Sequence, residues 1–206
     1  LVWMLTNFTT DEAKEQVQLC DEMGLLIQIE AFDMWEKPKV ENGYSTYFKE
    51  WHERDLRDMI RAFRNNPSVV MWSIGNEILE QSDKKGGELA NKLAMICKNE
   101  DPTRPTTAGF NYYPAPIKNG LASAIDLVGW NYKPRKYAEV AAKHPDWIMY
   151  GSETSSTVSS RGVYHLPVEK YELHESLQIT SYDIIGPPWA YPPDIEFESL
   201  ENNPNN

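Results

Sequence analysis

The stretch Ser68-Val69-Val70-Met71-Trp72-Ser73-Ile74 restricts the fold of this 206-residue chain more than any other. Its centre is apolar at consecutive positions, so both faces of a strand made from it must be covered. Sheets covered on both sides are typically parallel, and parallel neighbours need crossover helices. The flanks supply them. Upstream, a helix is expected over about 46–64, with Phe48, Trp51, Met59 and Phe63 on one face. Glu50/Arg54 and Glu53/Arg57 form i,i+4 pairs on its other side, and Asn65-Asn66-Pro67 ends it. Downstream, a helix over about 86–98 turns Leu89, Leu93, Ile96 and Cys97 inward.

The alternation extends in both directions. Thr10-Asp11-Glu12 opens a helix with Ala13, Val17 and Cys20 on its apolar face, and Gly24 stops it. Strands are expected over 25–30, 106–110, 125–131 and 147–152, with a short helix over 136–143. After residue 155 the pattern weakens. Pro187-Pro188 and Pro192-Pro193 punctuate it, and a last helix is expected over 194–202.

Such alternation means an α/β fold with a parallel sheet. No Gly-rich phosphate loop follows any strand, which disfavours the open nucleotide-binding sheet. Glu30, Asn76-Glu77, Asn131-Tyr132 and Glu153 sit at or just past strand ends, where a barrel gathers its site residues on one face. The expectation is an incomplete (β/α)8 TIM barrel with five assigned strands, fewer than a fold that typically takes ~250 residues would hold. Leu1-Val2-Trp3-Met4-Leu5 carries no initiator Met and no basic n-region, and reads as a start partway into something longer. An open barrel exposes strand edges, so marginal stability or association is expected.

Charge narrows the partners. The formal net charge of -11 opposes nucleic acid and anionic membrane surfaces, which call for clustered Lys and Arg. No apolar run reaches the ~20 residues that span a bilayer. Cys20 and Cys97 read as isolated buried thiols. His52, His144, His165 and His174 lack metal-ligand spacing, and no Gly-x-Ser-x-Gly elbow occurs. Neither a metal nor an organic cofactor is expected.

Glu77 and Glu153 remain, each directly after an expected buried strand, with two further strands between them. In a barrel they face one another across the mouth. Glycosidic bond cleavage uses such a pair, one carboxyl to protonate the leaving oxygen and one to attack the anomeric carbon. A lone strand-end Glu is ordinarily a cap or an ion-pair partner.

The local sequence carries a resemblance. Ser73-Ile74-Gly75-Asn76-Glu77, after Val69-Val70-Met71-Trp72, resembles the acid/base segment of glycoside hydrolase family 2, the family of β-galactosidases and β-glucuronidases. Leu19-Cys20-Asp21-Glu22-Met23-Gly24, Trp51-His52-Glu53-Arg54-Asp55 and Arg64-Asn65-Asn66-Pro67-Ser68 continue it upstream. Tyr150-Gly151-Ser152-Glu153 is similar to the nucleophile strand, and Gly186-Pro187-Pro188-Trp189 to the region before the last barrel strand. The resemblance implies a retaining β-glycosidase, β-galactosidase-like, acting on a carbohydrate substrate. It makes the five assigned strands about strands 3 to 7 of the barrel, and residues 1–206 one partial catalytic barrel domain of a larger multidomain glycosidase. It implies Glu77 as general acid/base and Glu153 as the ionised nucleophile. Asn76 matches the residue bonding the sugar 2-hydroxyl, and Tyr132 a tyrosine bonding the nucleophile. Trp130 and Trp189 are candidate sugar-stacking rings, with core packing as the ordinary alternative.

Two departures stand against it. The family's Arg and His after the second strand are Thr6 and Thr9 here, counting back from Gly24. The first strand and the closing strand with its Trp are missing. A barrel that binds sugar without turning it over, or an endo-glycanase of the same clan, therefore stays open. The sugar is not specified, nor is a periplasmic or cytoplasmic location.

Overall fold

The computed structural model describes the backbone of residues 2–5 and all of residues 11–154. The expectations for Thr6, Thr9, Trp189 and a helix over 194–202 lie outside the described residues. Secondary structure runs β1 (Val2–Leu5), α1 (Asp11–Met23), β2 (Ile27–Glu30), α2 (Ser45–Phe63) and β3 (Val69–Asn76). It continues with α3 (Gly86–Glu100), β4 (Thr106–Phe110), the single turn α4 (Ala115–Lys118), β5 (Leu127–Asn131), α5 (Tyr137–Lys143) and β6 (Ile148–Glu153). A 3-10 turn spans Leu79–Ser82 after β3. The strand–helix alternation and parallel pairing give an α/β fold, as expected, and among the described residues the strand order β1-β2-β3-β4-β5-β6 does not close on itself. None of the helices among the described residues is long and apolar enough to cross a membrane.

The chain divides into two compact units, Leu1–Gly129 and Trp130–Asn206. In the first, β1 to β4 pair in parallel and in chain order: Met4 aligns with Ile29, Ile29 with Trp72, and Trp72 with Thr106. β1 is a strand beyond the five assigned from sequence. Its four residues, Val-Trp-Met-Leu, are too few to show a period. Registers shift at Ile27/Gln28 and again between Ser73 and Asn76. The second irregularity lies where β3 leaves the ladder and the candidate site begins.

Every residue of β2 and β4 is buried, as a doubly covered parallel sheet requires. Ile27, Ile29, Trp72, Ile74 and Phe110 supply the sheet's share of the core. α1 contributes Val17 and Cys20, then ends at Gly24, whose φ of +68° suits a residue without Cβ. α2 presents Phe48, His52, Leu56, Met59, Ile60 and Phe63. Trp51, expected on that face, is only half-buried; the guanidinium of Arg54 lies 4.9 Å from its ring centroid. His52 takes the inner place by stacking on Phe48 and bonding the Phe48 carbonyl through Nδ1 at 2.6 Å. Glu100 ties the helices together, accepting from Arg57 at 2.8 Å and Arg61 at 2.7 Å. Cys20 and Cys97 are buried free thiols, as expected.

The second unit contains the end of β5, α5 and β6. Tyr137 and Val140 are the buried residues of α5, and His144 stacks on Trp147 at 3.9 Å. β6 departs from the expectation of a buried strand: Ile148 is 63% exposed and the rest of the strand is half-buried. Among the described residues β6 is the last strand of the sheet order, beside β5.

Candidate active site

In the first unit the site grows from the end of β3. Gly75 is buried because the indole of Trp35 lies over it; an added Cβ would meet Trp35 Nε1 at 2.9 Å and Ile78 Cγ2 at 3.1 Å. That indole donates to the Ile74 carbonyl at 2.8 Å. The segment after β2 clamps the strand at further points. Ala31 N–H donates to the Ser73 carbonyl at 2.9 Å, and Asn76 N–H donates to the Phe32 carbonyl at 3.2 Å. Lys39 Nζ donates to the Asn76 carbonyl and to Asp33 Oδ1, both at 2.8 Å. Glu30, fully buried at the end of β2, accepts from Ser73 Oγ at 2.7 Å.

This scaffold delivers Asn76 and Glu77 half-buried at the strand's end. Glu77 has φ +47° and its N–H donates to the Gly109 carbonyl on β4 at 2.8 Å. Left-handed backbone disfavours a residue with a Cβ, and such conformations concentrate at functional sites. Three non-glycine residues have positive φ among the described residues: Asn42, Glu77 and Tyr132. Two of them, Glu77 and Tyr132, are strand-end residues to which the family resemblance gives a role.

In the second unit, Glu153 ends β6 with both carboxylate oxygens engaged. Asn131 Nδ2 donates to Oε1 at 2.9 Å, and the Tyr132 hydroxyl donates to Oε2. Ser152 Oγ donates to Asn131 Oδ1 at 2.5 Å, which fixes which end of the Asn131 amide faces Glu153. The Tyr132 N–H donates to the Glu153 carbonyl at 2.8 Å. Tyr132 thus grips Glu153 by backbone and by side chain, and its φ of +58° is part of how it reaches both. The result is a carboxylate of fixed orientation at a strand's carboxyl end.

The expected pairing of Tyr132 with Glu153 is present. Trp130 is fully buried, so its ring belongs to the packing and presents no face to a sugar. Asn131, although among the strand-end polar residues, and Ser152 carry no signal in sequence that gives them a role. Lys39, Asp33 and Trp35 had no signal of their own, since they precede a helix in a loop without recognisable spacing. Among the described residues, no group of three or more His, Cys, Asp or Glu side chains could hold a metal ion.

Comparison with known proteins gives the family. A family model described as glycosyl hydrolases family 2, TIM barrel domain, matches residues 11–150. The β-galactosidase BoGH2A of Bacteroides ovatus is 39% identical over 189 residues, covering 77% of this chain and 22% of its own. A solved glycosyl hydrolase family 2 member from Bacteroides cellulosilyticus superposes with a TM-score of 0.64 at 38% identity, covering 68% of this chain and 18% of its own. β-Glucuronidase 2 of Bacteroides uniformis, solved covalently bound to cyclophellitol-6-carboxylate aziridine, gives 0.62 at 27% identity, covering 79% and 22%. The chain therefore spans about a fifth of the length of these relatives.

Proposed function

The chain belongs to glycosyl hydrolase family 2, through that family's TIM barrel domain, and on that premise we propose that it hydrolyses terminal β-glycosidic bonds with retention, as one part of a multidomain glycosidase. Glu153 is the nucleophile and Glu77 the general acid/base. The observation that carries this reading is the pair of hydrogen bonds from Asn131 and Tyr132, which aim the Glu153 carboxylate.

The reaction follows in two displacements. A Glu153 oxygen attacks the anomeric carbon while Glu77 gives its proton to the glycosidic oxygen. The carbon–oxygen bond breaks, the alcohol leaves, and the sugar remains esterified to Glu153. Glu77, now a carboxylate, takes a proton from water as that water's oxygen attacks the same carbon. Glu153 departs and the sugar is released with its configuration retained. Asn76 holds the 2-hydroxyl, a contact that strengthens as the oxocarbenium-like transition state forms. This route needs the two carboxyl groups ~5–5.5 Å apart.

β-Galactosides are the first substrate class to examine, supported by the 39% identity to BoGH2A. β-Glucuronides are the second, supported by the likeness to the B. uniformis enzyme. The test assays the full-length protein on p-nitrophenyl β-galactoside and β-glucuronide, beside Glu153→Ala. It also incubates the protein with galacto- and glucurono-configured cyclophellitol aziridines and maps the adduct by mass spectrometry. Turnover that Glu153→Ala abolishes, with an adduct on Glu153, supports the reading. Turnover unchanged in Glu153→Ala, or an adduct elsewhere, overturns it. Sugar binding without any released phenol favours a non-catalytic barrel.

A further inference from the structure

The peptide that joins Asn76 to Glu77 is held at both ends. Its N–H donates to the Gly109 carbonyl at 2.8 Å, and its C=O accepts from Lys39 Nζ at 2.8 Å. The first bond is a rung of the β3–β4 ladder. The second comes from a side chain 37 residues earlier in sequence. Lys39 is itself anchored by Asp33 at 2.8 Å, with its side chain 21% exposed.

The plane of that peptide sets φ of Glu77, because φ is rotation about the bond from its nitrogen to Cα. Glu77 sits at +47°, a value that L residues adopt only when the surroundings enforce it. Losing one of the two anchors lets the peptide plane rotate toward the relaxed right-handed or extended regions. The side chain swings with it, since Cβ is fixed to Cα.

We propose that Lys39, held by Asp33, is a positioning residue that keeps Glu77 in its left-handed backbone and so aims the proton donor of the reaction. The inference rests on the reading of Glu77 as acid/base. Lys39 touches the backbone of the preceding residue, so it acts through Glu77. A carbonyl anchored by an ammonium also receives a charge-assisted hydrogen bond, stronger than a neutral one.

The experiment uses the full-length protein and β-glycosides of the sugar it cleaves, with a phenyl or a 2,4-dinitrophenyl leaving group. Dinitrophenolate leaves without protonation; phenolate requires it. A misaimed acid therefore lowers kcat/KM on the phenyl glycoside and spares the dinitrophenyl one. Lys39→Met is expected to lose roughly 100-fold on the phenyl substrate and a few-fold at most on the other. Lys39→Arg, which retains the charge and a donor, should recover most of the loss, and Asp33→Asn should fall between. If Lys39→Met does not fold, Asp33→Asn and Lys39→Arg carry the comparison. Equal losses on both substrates, or none, overturn the proposal. Glu77→Gln is the benchmark. If it shows the leaving-group dependence and the Lys39 and Asp33 variants do not, the positioning role fails alone. If Glu77→Gln lacks that dependence, the acid/base reading fails and the proposal with it.

Discussion

Asn131 and Glu153 meet side chain to side chain across β5 and β6, amide nitrogen to carboxylate oxygen at 2.9 Å, with Ser152 holding the far side of the same amide. The contact makes Asn131 an orienting group for the proposed nucleophile. Asn131→Ala is expected to lower kcat/KM by about 10- to 100-fold, the size of one well-aimed hydrogen bond of about 1.5–3 kcal/mol to a charged group. Asn131→Asp should fall further, because it sets a like charge against Glu153. Steady-state kinetics on an aryl glycoside, with the melting curve as a folding control, measures both.

Gly75 carries a packing prediction. A methyl group there would press on Trp35 Nε1 at 2.9 Å, and Trp35 is fully buried in an interior that proteins pack closely. Gly75→Ala should destabilise the protein by about 1–3 kcal/mol, the usual cost of overpacking. Urea denaturation monitored by tryptophan fluorescence reports it, and an unchanged midpoint would show that the ring yields.

Asp101 makes stability depend on acid. Burial alone would raise its pKa, but hydrogen bonds from Thr103, Arg104 and Trp72 outweigh burial and bring it from 3.8 down to about 2. A depressed carboxyl pKa contributes stability that is present above the unfolded value and lost as pH falls through the folded one. The contribution should be complete above about pH 5 and disappear between about 4 and 2, amounting to no more than about 2 kcal/mol. Asp101→Asn should flatten that part of the pH–stability curve. Urea midpoints taken across the window, for both proteins, decide it.

Cys97 predicts a silent thiol. Burial pushes its pKa up to about 12, so the thiolate that reacts with disulfide reagents is scarce. In native buffer Cys97 should label far more slowly with Ellman's reagent than in 6 M guanidinium, and peptide mapping of the labelled protein checks the assignment.

Much of the first unit was legible from periodicity. The consecutive apolar residues of Val69–Trp72 announced a doubly covered strand, and the 3.6-residue spacing along 46–64 announced α2. His52 was harder: a polar ring on a buried face looks like a break in the pattern, yet it is accommodated by stacking on Phe48 and a backbone hydrogen bond. β1 was missed because four residues carry no period. Glu77, Glu153 and Tyr132 stand at strand ends, where barrels gather chemistry, and the family resemblance supplies their roles. Lys39, Asp33 and Trp35 did not stand out, since what matters about them is a distance through space. The Trp35 and Lys39 bonds to β3 join residues 39 and 37 positions apart in sequence.

Tyr132 could hold its backbone shape more easily as glycine, and so could Glu77. Each is instead a residue with a long side chain in a conformation that penalises one. Substitution by glycine at 132 should relieve backbone strain, although it also enlarges the unfolded ensemble and removes the grip on Glu153. On the proposed reading of Glu153 and Glu77, any stability gained by relaxing the backbone at these two positions comes at the expense of the aim of a carboxyl group. A screen for thermostable variants of such an enzyme has to count turnover as well.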